Sequence, residues 1–309
     1  MAGEVAVGRA RNHGSRSSRG GSAGGTGDWH RAGLGIGSQT QRGTQRSGSR
    51  IEGGARSGRS QPTLNWNEKD GVPWLEADLA GRARVVFSTR DGGGSEGPFR
   101  SLNLGILTDD DRGNVLENRL TLSAAVGFDP ERVSMGRQIH GAGLSRAGTE
   151  IPGAWSHPGP DPPAEADGQL TDEELRPLLV LVADCLPVAL LGERGLAMLH
   201  CGWRGLAAGI INAATAEIGG VAAAIGPGIG PCCFEVGPEV EESFGNLGPD
   251  LMQGRNLDLP EVTRRLLARS GVEAVESAGI CTFCDERFFS HRRDQGRTGR
   301  QAGIAWLNG

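Results

Sequence analysis

The segment LLVLVADCLPVALLGERGLAMLHC at 178–201 constrains the fold more than any other stretch of the chain. Two apolar runs, PVALL at 187–191 and LAMLHC at 196–201, flank the turn residues GERG. Apolar runs bounded by turn signals read as the two strands of a hairpin. A turn centred between Glu193 and Arg194 makes His200 the cross-strand partner of Pro187. Directly opposed side chains share a face of the sheet, and Cys185, two residues from Pro187, shares it too. Diagonal neighbours on one face stand about 7–8 Å apart, so an imidazole and a thiolate there can converge on one ion. A register slip of one residue would send them to opposite faces, so the inference depends on the turn.

Around this hairpin the body reads as alternating short strands and helices. ARVVFSTR at 83–90 is a predicted strand closed by the turn-forming DGGGSEG. A helix is predicted over 113–126, with Val115, Leu116, Leu120 and Ala124 at helical spacing. TDEE at 171–174 has the form of a capping box and predicts a short helix ended by Pro177, followed by a buried strand over 178–183. GLAAGIINAATAEIG at 205–219 and PEVTRRLLARS at 260–270 are predicted helices, and VAAAIGPGIG at 221–230 is a strand running into a turn. The expected fold class is α/β or α+β, in a single domain over residues 63–309.

Composition sets residues 1–62 apart. The first sixty positions hold 16 Gly, 9 Ser and 10 Arg and only three acids, so they carry about +7 in a chain of net charge −5. Such a stretch has too little apolar surface to offset the entropy of ordering it, and a disordered tail is predicted. Nucleic acid is an expected partner only if this basic tail binds it. No run reaches the roughly 18–20 apolar residues of a membrane span. The longest candidate, at 178–191, is interrupted by Asp184 and Pro187. The six cysteines are bunched as Cys185, Cys201, Cys232–Cys233 and Cys281/Cys284. That pattern suits thiols or metal ligands in a reducing compartment, and cytoplasm is the expected location.

Of the six histidines, His140, His200 and His291 fall in ordered-looking sequence. His140, in the Gly-flanked GRQIHG segment, is the best-placed third partner for Cys185 and His200. Three protein ligands and an open position are the pattern of a catalytic zinc site. CTFC at 281–284 with Cys232–Cys233 is a rival, with four thiols of structural-zinc type, though vicinal cysteines are not a usual knuckle spacing.

The blocks FSTRDGGGSEGPFRSLNLG, NRLTLSAAVGF, QIHG, ADCLP, LHCGWRGLAAGI, IGPGIGPCCFEVG and CTFCDERFFSHRRDQGRTGRQAGIAWL resemble, in order, those of the laccase-domain (YfiH-like) family. Members of that family are also described as purine nucleoside phosphorylases. The resemblance implies mixed β-sheets in a sandwich with outer helices, and a zinc ion on His140, Cys185 and His200. It implies phosphorolysis of adenosine, inosine, guanosine and methylthioadenosine, with phosphate as co-substrate, and deamination of adenosine. Cys201 stands where a small residue is usual, placing a second thiol next to a ligand in sequence, and His291 stands where Tyr is common. A multicopper laccase needs many imidazoles and His-x-His pairs that this sequence lacks. Copper in the His₂Cys set is nevertheless possible.

An open zinc position suits deamination, because the metal lowers the pKa of a water. Phosphorolysis needs a held phosphate and stabilisation of an oxocarbenium-like sugar. Arg90, Arg119 and Arg204 are the candidates for phosphate, because a guanidinium binds its oxygens in pairs. Asp184, beside Cys185, is the acid/base candidate or else the carboxylate that orients a histidine. Gln138 and Asn103 are candidates for hydrogen bonds to substrate. Two alternatives stand beside this one. The first is a hydrolase editing peptidoglycan precursors, which some relatives are described as. The second is a non-enzymatic metal or thiol module centred on the four paired cysteines.

Overall fold

The computed structural model describes residues 64–148, 153–159 and 163–309. The tail predicted over 1–62, with its disorder and its nucleic-acid reading, lies outside these residues. A first sheet of five strands runs in the order β1 (Asn65–Lys69), β2 (Val72–Leu79), β3 (Ala83–Ser88), β13 (Gln301–Leu307), β6 (Leu178–Val182). A second sheet of six runs β12 (Ala274–Ser277), β9 (Ala222–Ile225), β7 (Leu186–Gly192), β8 (Gly195–Cys201), β5 (Gly168–Thr171), β4 (Leu144–Arg146). The short pair β10 (Met252–Gln253) and β11 (Asn256–Leu257) makes a third.

The two large sheets stack through the alternation of their strands. Ala189, Leu191, Leu196 and Met198 of the second sheet pack with Leu75, Val85, Phe87 and Val180 of the first. The opposite face, with Val188, Leu190, Ala197 and Leu199, packs on α3 (Ile210–Ile218) and α5 (Leu259–Arg269), joined by α2 (Trp203–Ala207) and α4 (Pro238–Phe244). The outer face of the first sheet, with Val86, Ile304 and Trp306, is covered by α1 (Arg112–Val126). The result is a mixed α/β sandwich with outer helices, the architecture expected from the sequence. Among the described residues no helix is long and apolar enough to cross a membrane.

The strands of the hairpin and α1 and α5 form where predicted, the helices capped by Asp111 and Asp258, whose carboxylates accept from Asn114 N–H and Glu261 N–H. Three local expectations are corrected. TDEE does not start a helix: Thr171 ends β5, and the following turn returns to the first sheet, where Leu175 N–H donates to Leu307 O at 3.0 Å. The helix expected over 205–219 is two helices, broken where Gly209 adopts φ +87°. The buried face of α1 is rotated from the apolar spacing, because Asn118 and Arg119 are buried while Leu120 is exposed. Asn118 takes that place by donating to Ser95 Oγ and to the carbonyls of Ser101 and Asn103.

One buried acid runs against the grain of the core. Glu276 sits opposite Ala224 in the β12–β9 pair, is only 5% exposed, and its carboxylate finds no hydrogen-bond partner among the described residues. Burial, and then the charge of Asp78, push its pKa up from 4.5 to about 7. A carboxyl raised in the fold costs nothing below its unfolded pKa, and stability is lost as pH rises from there through the folded value. Glu276→Gln is therefore expected to raise the thermal unfolding midpoint at about pH 8 and to change it little at about pH 4. An equal shift at both would show that packing, not charge, sets the effect.

Candidate metal centre

The hairpin has the register the sequence predicted: Pro187 faces His200, and Leu186 faces Cys201. β6 lies in the first sheet and β7 in the second, so the chain crosses between sheets at 183–185 and leaves Cys185 at the crossing. His200 is buried, Cys185 half-buried and His140 exposed. The ligating atoms of these three side chains lie within 4.8 Å of one another. The two imidazoles meet edge-on, with ring centres 4.8 Å apart.

Asp167 organises this trio. β5 pairs with β8 so that Gly168 faces Leu199, which sets Asp167 against His200. Its buried carboxylate accepts from His200 Nδ1 at 2.8 Å and from the backbone N–H groups of Ile139 (3.1 Å), His140 (2.9 Å) and Gly141 (2.8 Å). One side chain thus orients a histidine ring and ties down the whole QIHG turn. With Nδ1 held by the carboxylate, Nε2 is the nitrogen left to coordinate. The turn needs the restraint, because His140 sits at φ +62°, a left-handed conformation uncommon outside glycine. Asp184, at φ +87°, is a second such residue at the centre.

Close approach of the backbone completes the arrangement. A Cβ on Gly202 would stand 2.9 Å from Cys185 Sγ and 3.4 Å from His140 Cδ2, so a residue without a side chain is required.

Charge follows geometry. Burial opposes ionisation of Cys185, but the His200 charge and hydrogen bonds from both histidines outweigh it and bring the thiol down to about 6. Burial likewise opposes protonation of His200, and the Cys185 thiolate and Asp167 outweigh it, raising the imidazole to about 9. Asp167, buried yet hydrogen-bonded by His200, Gly141 and Ile139, is held below the ordinary carboxylate range. The pair is thus inclined to thiolate and imidazolium. Cys201 behaves oppositely. It is fully buried among Leu186, Leu199 and Leu206, and burial, with Cys185 and Asp167 adding to it, pushes its thiol well up. The thiol of the LHCGWRG block points into the core, away from His200.

A cavity of about 650 Å³ opens over the trio, a size typical of small-molecule sites. His140, Cys185 and His200 line it together with Asp184, Arg204 and Phe234.

Residues 84–308 match the family described as multi-copper polyphenol oxidoreductase laccase. The chain belongs to this family. A purine nucleoside phosphorylase of Pseudomonas aeruginosa is 36% identical over 252 residues, 76% of this chain and 98% of that protein. YlmD of Geobacillus stearothermophilus, also named a purine nucleoside phosphorylase, is 34% identical over 254 residues, 74% of this chain and 92% of its own length. The crystal structure of YlmD is similar with a TM-score of 0.68 at 31% identity, covering 80% of this chain and all of that one (100%). The QIHG, ADCLP and LHCGWRG blocks that carried the family resemblance are those that meet here. Copper in the family's description does not bring a cluster of imidazoles with it. Among the described residues, the histidines gathered with other ligating side chains are His140 and His200.

The other predicted site residues separate into those on the cavity wall and those committed elsewhere. Arg204 is exposed on the wall, its guanidinium over Trp203 at 4.4 Å. Arg119 also lines the cavity but is 1% exposed, stacks on Trp155, and donates to the carbonyls of Leu104, Ala154 and Trp155. Arg90 stacks on Phe289 and donates to Arg100 O, and it is not among the lining residues. Gln138 lines the cavity, but its amide spans Leu181, accepting from N–H at 2.8 Å and donating to O at 2.7 Å. Asn103 is fully buried, its amide bonded to Thr108, Asp110, Gly105 N–H and Arg300 N–H, so its polar atoms are already engaged within the fold. Asp184 accepts from Thr282 Oγ1 and Arg292 N–H, both at 2.7 Å, and the histidine-orienting role weighed for it belongs to Asp167.

Sequence reasoning missed Asp167 and also Arg300, which lines the cavity near Cys185 and Asp184. Asp167 gives little local signal, because the buried strand it precedes, GQLT, is half polar and its pairing with the His200 strand is long-range. The Asp167→Ala protein should lose roughly 3–5 kcal/mol of unfolding free energy, since three N–H groups and a buried imidazole lose their acceptor. Urea denaturation of the metal-free protein measures this. An unchanged midpoint would show that the turn stands without Asp167.

Proposed function

We propose that the chain is a zinc-dependent purine nucleoside phosphorylase. Its reaction converts adenosine, inosine, guanosine or methylthioadenosine and phosphate into free base and a pentose-1-phosphate, with deamination of adenosine as a side reaction. The observation that carries this reading is the convergence of His140, Cys185 and His200 on the wall of a cavity of about 650 Å³. The names of the relatives support it.

The donor set fits a zinc ion: two imidazoles and a thiol inclined to ionise, with one imidazole oriented by a buried carboxylate. Copper competes for the same donors. When bound there, the metal supplies Lewis acidity toward an oxygen of phosphate, ribose or water. The remaining work falls to the protein's side chains. Arg204 is the leading phosphate ligand, because it is exposed on the cavity wall and forms no ion pair with any described residue. Arg119 fixes the wall from behind. Phe234 lines the cavity and offers apolar surface to a purine. Phosphorolysis forms a bond from C1′ to a phosphate oxygen as the bond to the purine nitrogen breaks, and the departing base takes up a proton. Asp184 lies on the cavity wall and is the acid/base candidate for that transfer, held in place by Thr282 and Arg292.

Adenosine with phosphate should yield adenine and ribose-1-phosphate, together with some inosine. Adenine release should depend on phosphate, and inosine formation should not. Cys185→Ala should abolish both reactions. Arg204→Ala should raise the KM for phosphate roughly ten- to a hundredfold, the loss of one charge-assisted contact, and spare deamination. Turnover no faster than buffer for every purine nucleoside, in zinc-loaded protein, would overturn the reading and favour the cell-wall precursor alternative. Equal loss of both reactions in Arg204→Ala would remove only its phosphate role.

A further inference from the structure

A second group of ligating side chains stands apart from the first and shares no residue with it. Cys232 and Cys233 lie in the loop that follows β9, and Cys281 and Cys284 in the loop that follows β12. All four are free thiols, and their sulfurs lie within 4.8 Å of one another. Cys284 Sγ is 3.5 Å from Cys232 Sγ and 3.3 Å from Cys233 Sγ. Four sulfurs at about 2.3 Å from a tetrahedral zinc stand about 3.8 Å apart, the same scale.

The backbone is set for a thiolate at one of these sulfurs, Cys281. Gly230 N–H points at Cys281 Sγ at 3.2 Å, and the N–H groups of Phe283 and Cys284 face the same sulfur. Cys284 N–H also closes a tight turn onto Cys281 O at 3.1 Å. Donors aimed at sulfur stabilise the excess negative charge of a tetrathiolate. Arg293 adds a cation beside the turn, donating to the carbonyl of Thr282 at 2.9 Å. Gly228 N–H to Ile280 O and Thr282 N–H to Gly228 O are the ladder bonds between the two loops, and Arg292 adds a bond to Glu235 O further out.

We propose that Cys232, Cys233, Cys281 and Cys284 form a second, structural zinc site, closed by four thiolates, that staples these two loops together. Zinc displaces one proton from each thiol to solvent, and no redox step is involved. With four protein ligands the site has no open position, so it takes no part in the chemistry. Its effect is on shape. Ile229 and Phe234, which flank the vicinal cysteines, line the cavity, and Thr282, inside the CTFC turn, holds Asp184. The staple therefore fixes one wall of the cavity from outside it.

Metal analysis of the full chain, purified with a reductant, tests this independently of the first site. Wild type should carry two zinc ions per chain and His140→Ala/His200→Ala one. Titrating that histidine double variant with a mercurial should release its remaining zinc, and cobalt(II) loaded in its place should show strong sulfur-to-metal charge-transfer absorption. Cys281→Ser/Cys284→Ser should retain only the first ion. The histidine double variant retaining no zinc, or its cobalt form lacking the thiolate bands, would overturn the proposal. So would an intact mass showing disulfides among these cysteines in the reduced preparation. Since the decisive protein lacks the histidine ligands, it answers whatever the outcome of the nucleoside assays.

Discussion

Everything at the centre depends on one buried carboxylate. Asp167 accepts four hydrogen bonds, three from the backbone of the QIHG turn and one from His200. Burying a charge is costly unless it is fully bonded, and here every bond also does positional work. The carboxylate selects the His200 nitrogen that faces the cavity. It stabilises positive charge on that ring, which in turn favours the Cys185 thiolate. It also holds His140 in a backbone conformation that the residue would not adopt unaided. Removing it would release His140 and His200 at once, and with them the charge that favours the Cys185 thiolate.

The fold places that carboxylate by stacking two sheets and letting the chain cross between them at the hairpin. Pro187 and His200 share the face turned toward the first sheet, and the crossing leaves Cys185 at the margin of the inter-sheet core, where the cavity opens. Loops then converge on Asp184, whose carboxylate and carbonyl together bind Thr282, Arg292 and Ile229. An apolar sandwich thus carries an opening edged by loops, and those loops are tied to polar anchors and, by a few backbone bonds, to one another. The paired cysteines sit between two of those loops.

Much of this was legible in the sequence because it rested on periodicity and turn chemistry. The GERG turn fixed the hairpin register, and the register put Cys185 and His200 on one face. What stayed hidden depended on long-range pairing. Reading TDEE as a helix start obscured β5, and with it the β5–β8 pairing that sets Asp167 against His200. Local capping preference lost there to strand pairing, a tertiary effect no short window contains. The amides of Asn103 and Gln138 looked available for substrate because a sequence does not show that backbone groups already engage them. Arg119 likewise reads as a phosphate ligand until its burial behind Trp155 is seen. Burial of Asn118 and Arg119 also rotated α1 away from its apolar stripe.

The most direct test of the central claim is anomalous diffraction at the zinc edge from crystals of the zinc-loaded protein. The account predicts a peak bounded by Cys185 Sγ, the His140 ring and His200 Nε2, with His200 Nδ1 still bonded to Asp167. Absence of a peak among those three side chains, or a metal bound to His200 through Nδ1 with Asp167 displaced, would contradict it.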